Sequence, residues 1–239
     1  MSKGWCKLFR VISLVLALFL SLGASEALDA FKAKDYTKAF KLYKQRADSG
    51  DTSAQSALSY LYANGLGVAQ DRAKSIEYLT LAADGGLSSA QYDLGMFYLR
   101  GDSGVSKDLA KAHDYLTKAS DGGNIEAKYN LALMYYNGDG VNPDINKAAT
   151  LLEEAAKLNH PLAKANIGKI LAQQLKFEDA IKWLEINASE GDSSSYFPLA
   201  QLYIELEDFK SAKKWAYKAL ETKEQEARLL IKEHNLDSY

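Results

Sequence analysis

The sequence predicts an all-α fold: an α/α solenoid of about six helix-hairpin repeats closed by a C-terminal capping helix. Three observations predict it. The skeleton of Ala90–Gly123 recurs before it at Ala54–Gly86 and after it at Ala127–Asn159, a period that marks a repeat array. Within each copy, apolar residues fall at helical spacing between recurrent start and stop residues. The 239 residues are 47% apolar with only three prolines and no low-complexity stretch, which excludes a disordered chain.

The first segment is of another kind. Lys3, Lys7 and Arg10 precede Val11–Leu22, whose only polar residues are Ser13 and Ser21, and Gly23, Ala24 and Ser25 follow. This pattern reads as a secretory signal peptide over 1–25. The uncharged run is short for a bilayer span of roughly 20 residues, and an uncleaved membrane anchor is the alternative. Cleavage removes three basic residues and no acidic one, leaving 26 Lys+Arg against 31 Asp+Glu. A mildly acidic chain without a basic block is a poor partner for nucleic acid or an anionic membrane. Cys6, the single cysteine, lies in the segment removed, so packing alone holds the exported protein together.

Residues 26–51 place Ala27, Ala30 and Phe31, then Tyr36, Ala39, Phe40 and Tyr43, on the faces of two successive helices. Asp35 stands four residues before Ala39, where its carboxylate caps the second helix. The same spacing recurs at Asp71, Asp108, Asp144 and Asp208, with Lys176 as the exception. Gly50, Gly86, Gly123, Asn159 and Gly191 each stand four residues before the small residue opening the next repeat, as a left-handed helix terminus requires.

Each repeat therefore holds two helices, A and B. Helix A carries Leu58/Tyr62, Leu94/Tyr98, Leu131/Tyr135, Ile167/Leu171 and Leu199/Tyr203 on one face. Beside each pair a small residue (Ser59, Gly95, Ala132, Gly168 or Ala200) admits the partner helix. The A-to-B loop is long and glycine-rich at Gly65–Val68, Gly101–Val105 and Gly138–Val141, and short in the last two repeats. Glu224–Leu236, with Ala227, Leu230 and Ile231 on one side, reads as the capping helix a solenoid end needs.

The pattern A-x3-L-G-x2-Y, G-x-G-V, D-x2-K-A, A-A, G resembles the Sel-one-like repeat (SLR) family, a relative of the tetratricopeptide repeat (TPR). Lys74, Lys111 and Lys147 fill its lysine position, and Ala82-Ala83, Ala119-Ser120 and Ala155-Ala156 its small pair. The resemblance implies a right-handed superhelix. It organises the chain as 26–53, a TPR-like pair; 54–162, three SLR repeats; 163–222, two TPR-like repeats; and 223–239, the cap and tail. The paired cysteines of the family's cysteine-rich branch are absent.

No constellation for catalysis emerges. His113, His160 and His234 lie in different repeats without partners at metal-ligand spacing, and read as surface or capping residues. Ser211-Ala-Lys-Lys214 matches S-x-x-K but lacks the companion motifs of penicillin-recognising enzymes. The glycine loops lack phosphate-cradle patterns, and Glu153-Glu154 and Glu205/Glu207 read as solvated faces. Asn187-Ala-Ser189 is a formal glycosylation sequon, relevant in a eukaryote only. No metal or cofactor is expected.

Recognition is the function the resemblance implies, on a concave face lined by helix A two residues before and two and five after its leucine. That register gives Ser56 and Tyr60; Tyr92 and Met96, followed by Arg100; Tyr129 and Tyr136, followed by Asn137; then Lys169, Phe197 and Gln201. Tyrosine offers large contact area at low entropic cost; the competing reading packs several of these rings between repeats. The expectation is an adaptor, periplasmic or secreted from a bacterium, that binds a peptide or protein segment. The alternatives are a cell-wall-related or penicillin-binding enzyme and a structural subunit of an envelope complex.

Overall fold

The computed structural model describes residues 25–239, so the export signal read over 1–25 lies outside the described residues but for Ser25. Two compact units divide the chain, one ending at Gly122 and the other spanning Gly123–Tyr239. The first holds α1 (helical over 25–32), α2 (Tyr36–Asp48), α3 (Thr52–Asn64), α4 (Arg72–Asp84), α5 (Ser88–Arg100) and α6 (Leu109–Asp121). The second holds α7 (Ile125–Asn137), α8 (Ile145–Lys157), α9 (Pro161–Gln173), α10 (Phe177–Ser189), α11 (Tyr196–Glu205), α12 (Phe209–Ala219) and α13 (Glu224–Glu233). Each is a stack of helical hairpins in which an odd-numbered helix A packs on the following helix B, with α13 closing the second stack. The fold is the expected all-α hairpin-repeat solenoid.

Local chemistry starts the B helices where the aspartates stand. Asp35, Asp71, Asp108, Asp144 and Asp208 each accept the backbone N–H three residues on, at 2.9–3.1 Å. Each such cap is worth about 1 kcal/mol because it satisfies an otherwise orphan donor. Lys176, the exception, heads α10 without a side-chain cap. The stops also match: Gly50, Gly86, Gly123 and Gly191 have φ of 84–94°, and Asn159 has φ 64°.

Small residues set the distance within a hairpin. A Cβ on Gly95 would sit 2.9 Å from Leu116 Cγ, and one on Gly168 would sit 2.6 Å from Leu184 Cγ. The long loops fold back tightly, and a Cβ on Gly67 would meet the Tyr36 carbonyl oxygen at 2.1 Å. Above the helix A leucines, the tyrosine at the end of each pair meets the lysine of the D-x2-K-A element. Lys74 lies 5.4 Å from the centre of the Tyr62 ring, Lys111 4.9 Å from Tyr98 and Lys147 4.7 Å from Tyr135. Tyr62 and Tyr98 also stack on Tyr78 and Tyr115 of helix B, at 5.7 and 5.9 Å.

Candidate functional site

The helix A face of the N-terminal unit carries a shallow apolar hollow of about 470 Å³. Leu28 and Phe31 of α1 form one wall and Ser53, Ser56, Ala57 and Tyr60 of α3 the other. Tyr60 is 53% exposed and meets the edge of Phe31 at 6.0 Å. At the base, Tyr43 of α2 is buried, and that burial pushes its phenol up against the opposing pull of Arg46. Leu28 and Phe31 were not among the residues the sequence placed on this face. The signal was available: counted back from the left-handed turn residue Lys34, they align with Lys169 and Ala172, counted back from Leu175.

Farther along the same unit, Tyr92 is half-buried and Arg100 exposed. Met96 corrects the sequence reading: it is only 8% exposed. Its flexible apolar side chain serves packing, and it presents no surface to a partner. Beside it on α5, Asp93 faces solvent, yet burial among its neighbours pushes its carboxyl above the usual range.

In the C-terminal unit the ring positions are largely occupied by internal bonds. Tyr129 is half-buried, stacks on His160 at 4.5 Å and accepts a hydrogen bond from Asn166 Nδ2 at 3.3 Å. Here packing between repeats is what the tyrosine does. Tyr136 accepts a hydrogen bond from Gln173 Nε2 at 3.2 Å but stays 39% exposed. Asn137, exposed beside it, donates to Asp139 at 3.2 Å. Lys169 and Gln201 are exposed, while Phe197 is half-buried with Lys223 Nζ 5.7 Å from its ring centre. Burial works to raise the Asp192 carboxyl, but hydrogen bonds from Ser194 and Ser195, with Lys169 nearby, hold it below the usual range.

His160 serves the fold. Its side chain is 3% exposed, its Nδ1 accepts the Ala163 N–H at 3.1 Å and its Nε2 lies 3.2 Å from Glu126 Oε2. It is the N-cap of α9, occupying the place Asp51 and Asn124 hold before α3 and α7. Asn187 of the sequon is buried, its amide donating to the Lys164 carbonyl at 2.6 Å. Ser211 lies in the first turn of α12, its N–H held by Asp208. Among the described residues no group of three or more His, Cys, Asp or Glu is placed to hold a metal, and no helix is long and apolar enough to cross a membrane.

Comparison with known proteins agrees with this architecture. A Sel1 repeat protein from Oxalobacter formigenes superposes with a TM-score of 0.68 at 25% identity, covering 83% of this chain and 84% of that one. PilF of Pseudomonas aeruginosa shares the fold, with a TM-score of 0.52 at 15% identity over 91% of this chain and 96% of its own. Protein sel-1 homolog 2 of Mus musculus is 38% identical over 72 residues, 30% of this chain. The match spans 10% of the length of that protein and of its human counterpart. The Sel1 repeat model matches residues 27–51, 52–87, 88–124 and 125–160, more than half the chain, and its first match takes in the helix pair that the sequence reading set nearer plain TPR. The chain belongs to the Sel1 repeat family.

Proposed function

We propose that the protein is an exported docking scaffold that holds a segment of a partner protein against its helix A faces. One observation carries the reading: large side chains stand uncovered there, above all Tyr60 beside its apolar hollow and Tyr136. Side chains of this size on a repeat scaffold supply contact area, and their neighbours supply hydrogen bonds. Sel1 and TPR-like repeat proteins generally act as protein–protein interaction scaffolds. The proposed compartment is the periplasm or the cell exterior, on the strength of the basic, apolar and small-residue sequence of 1–25.

The test pairs Tyr60→Ala with Tyr136→Ala, both exposed and so removable without opening a core cavity. Affinity capture from envelope extract with the parent chain and the double variant, read by mass spectrometry, should lose a defined set of partners while helicity is unchanged. Equal capture by both proteins refutes the face assignment. The mature N-terminus, read by mass spectrometry of the protein recovered from the periplasm, tests export; an intact residue 1–25 segment refutes cleavage.

A further inference from the structure

Helices α6 and α12 share a register, and at one position α12 carries the opposite charge. Asp108 caps the first and Asp208 the second, and counting on from each cap Tyr115 matches Trp215 and Lys118 matches Lys218. In α6 the group is complete: Lys118 Nζ lies 5.2 Å from the centre of the Tyr115 ring and donates to Asp114 Oδ2 at 2.7 Å. In α12 the ring contact is kept, with Lys218 Nζ 4.8 Å from the Trp215 ring and 5.4 Å from Tyr196. The residue in the place of Asp114, however, is Lys214, and its ammonium lies 4.9 Å from the same indole.

Like charges therefore converge where the earlier helix has an ion pair. Lys210, Lys214 and Lys218 follow one another at four-residue spacing on one exposed ridge, where like charges repel. No acidic residue occurs within α12, and its cap Asp208 is engaged by the Ser211 N–H at 3.1 Å. No carboxylate of the described residues lies within ion-pair distance of the three ammoniums. Elsewhere the chain pairs exposed charges at this spacing with the opposite sign, as in Lys44 with Asp48, Glu153 with Lys157 and Glu224 with Arg228. Attraction to the indole accounts for one lysine, whereas the second is held there against the repulsion of the first.

We propose that the outward ridge of α12 docks an acidic segment of a partner protein, one of whose carboxylates takes the place between Lys214 and Lys218 that Asp114 fills beside Lys118. Charge complementarity selects an anion, and two further features select a protein. Trp215 is 6% exposed and Tyr196 half-buried, each beneath a lysine, so neither offers an open ring for a base to stack on. The apolar face of α12, with Ala212, Trp215, Ala216 and Ala219, is buried and cannot enter a bilayer. Alternate side chains of an extended segment repeat at about 6.8 Å, close to the roughly 6 Å rise between successive lysines of the ridge. This surface belongs to a helix B and does not depend on the helix A faces proposed above.

The experiment uses the full chain and the fluorescein-labelled peptide Gly-Ser-Glu-Ser-Glu-Ser-Glu-Ser-Gly, with glutamine in place of every glutamate as control, read by fluorescence anisotropy at low salt. The glutamate peptide should bind about tenfold more tightly than the glutamine peptide, the scale of two exposed charge pairs, and the advantage should shrink in 0.5 M salt. Lys214→Gln with Lys218→Gln should erase the advantage, while Lys44→Gln with Lys157→Gln, which removes as much charge from two lysines already paired, should keep it. Tyr60→Ala should leave it unchanged, so failure here and failure of the helix A face are told apart. Equal loss in both lysine pairs overturns the proposal, because net charge alone would then explain binding. So does tighter binding of oligothymidylate or of phosphatidylglycerol vesicles than of the glutamate peptide, or equal binding of the two peptides. Salt-sensitive self-association abolished by Lys214→Gln with Lys218→Gln also overturns it, making a second copy of the chain the occupant. Circular dichroism of each variant verifies that the helices persist.

Discussion

Replacing His160 separates two roles that the imidazole combines. A backbone N–H can only donate, so Nδ1, 3.1 Å from the Ala163 nitrogen, is the unprotonated acceptor and Nε2 carries the hydrogen toward Glu126 Oε2. His160→Ala removes the cap of α9, worth about 1 kcal/mol, and the stack on Tyr129, worth about 0.5–1.5 kcal/mol. It also vacates the volume of a buried ring, so the loss should reach about 2–3 kcal/mol. His160→Asn keeps an oxygen where the Nδ1 acceptor was, as Asn124 does for Ala127 at 2.9 Å one repeat earlier, and should lose the stack and the contact to the exposed Glu126 but not the cap, about 1 kcal/mol. Urea unfolding followed by circular dichroism gives the ranking, and amide exchange at Ala163 reports the cap locally. The reasoning fails if alanine and asparagine destabilise equally, or if alanine costs less than about 0.5 kcal/mol, at the low end of any cap.

Other outcomes follow from the same geometry. Gly95→Ala and Gly168→Ala should each cost about 1–3 kcal/mol in denaturant unfolding, because the new Cβ meets a leucine Cγ at 2.9 and 2.6 Å. Leu175→Gly should stabilise the chain by roughly 0.5–1 kcal/mol, since this 75% exposed leucine holds a left-handed φ of 59° that an L side chain resists. Tyr203 should ionise only near pH 12 in an absorbance titration, because burial and then its hydrogen bond to Glu185 at 2.9 Å raise its pKa to about 12. A raised phenol pKa favours the folded state below the unfolded value near 10, so this contribution to stability should disappear as pH climbs from about 10 to 12. Lys111→Met should cost about 0.5–1 kcal/mol by removing the ammonium 4.9 Å from the Tyr98 ring, measured against a Lys107→Met control.

The fold was legible where backbone needs are local. An aspartate four residues before a small residue announces a cap because the bond it makes closes within one turn, and all five such aspartates make it. Glycines at the repeat boundaries announce a left-handed residue for the same reason, and Gly95 and Gly168 announce close packing because nothing larger fits. The Lys–Tyr contacts were harder. Lys74, Lys111 and Lys147 recur visibly, yet their rings lie twelve or thirteen residues earlier on the paired helix, and only the hairpin brings them together. Met96 shows the same limit from the other side: its position two after Leu94 matches that of Tyr60 after Leu58, but burial is a property of the stack rather than of the position. His160 was readable as a cap from its alignment with Asp51 and Asn124, whereas its stack on Tyr129 was not.

The two units spend equivalent positions differently, and this bears on where docking belongs. In the C-terminal unit the hydroxyls of Tyr129 and Tyr136 accept bonds from Asn166 and Gln173, so adjacent A helices satisfy each other. A ring so held is ordered in advance: replacing the half-buried Tyr129 would damage the stack before any binding, whereas Tyr136, 39% exposed, can be replaced without opening the core. In the N-terminal unit Tyr60 is in contact with Phe31 alone among the described rings and stays 53% exposed. Exposed apolar area is a cost to a free protein that burial against a partner recovers. The exposed Tyr60 beside its hollow, rather than the bonded tyrosines of the C-terminal unit, is therefore where the proposed docking is to be tested first.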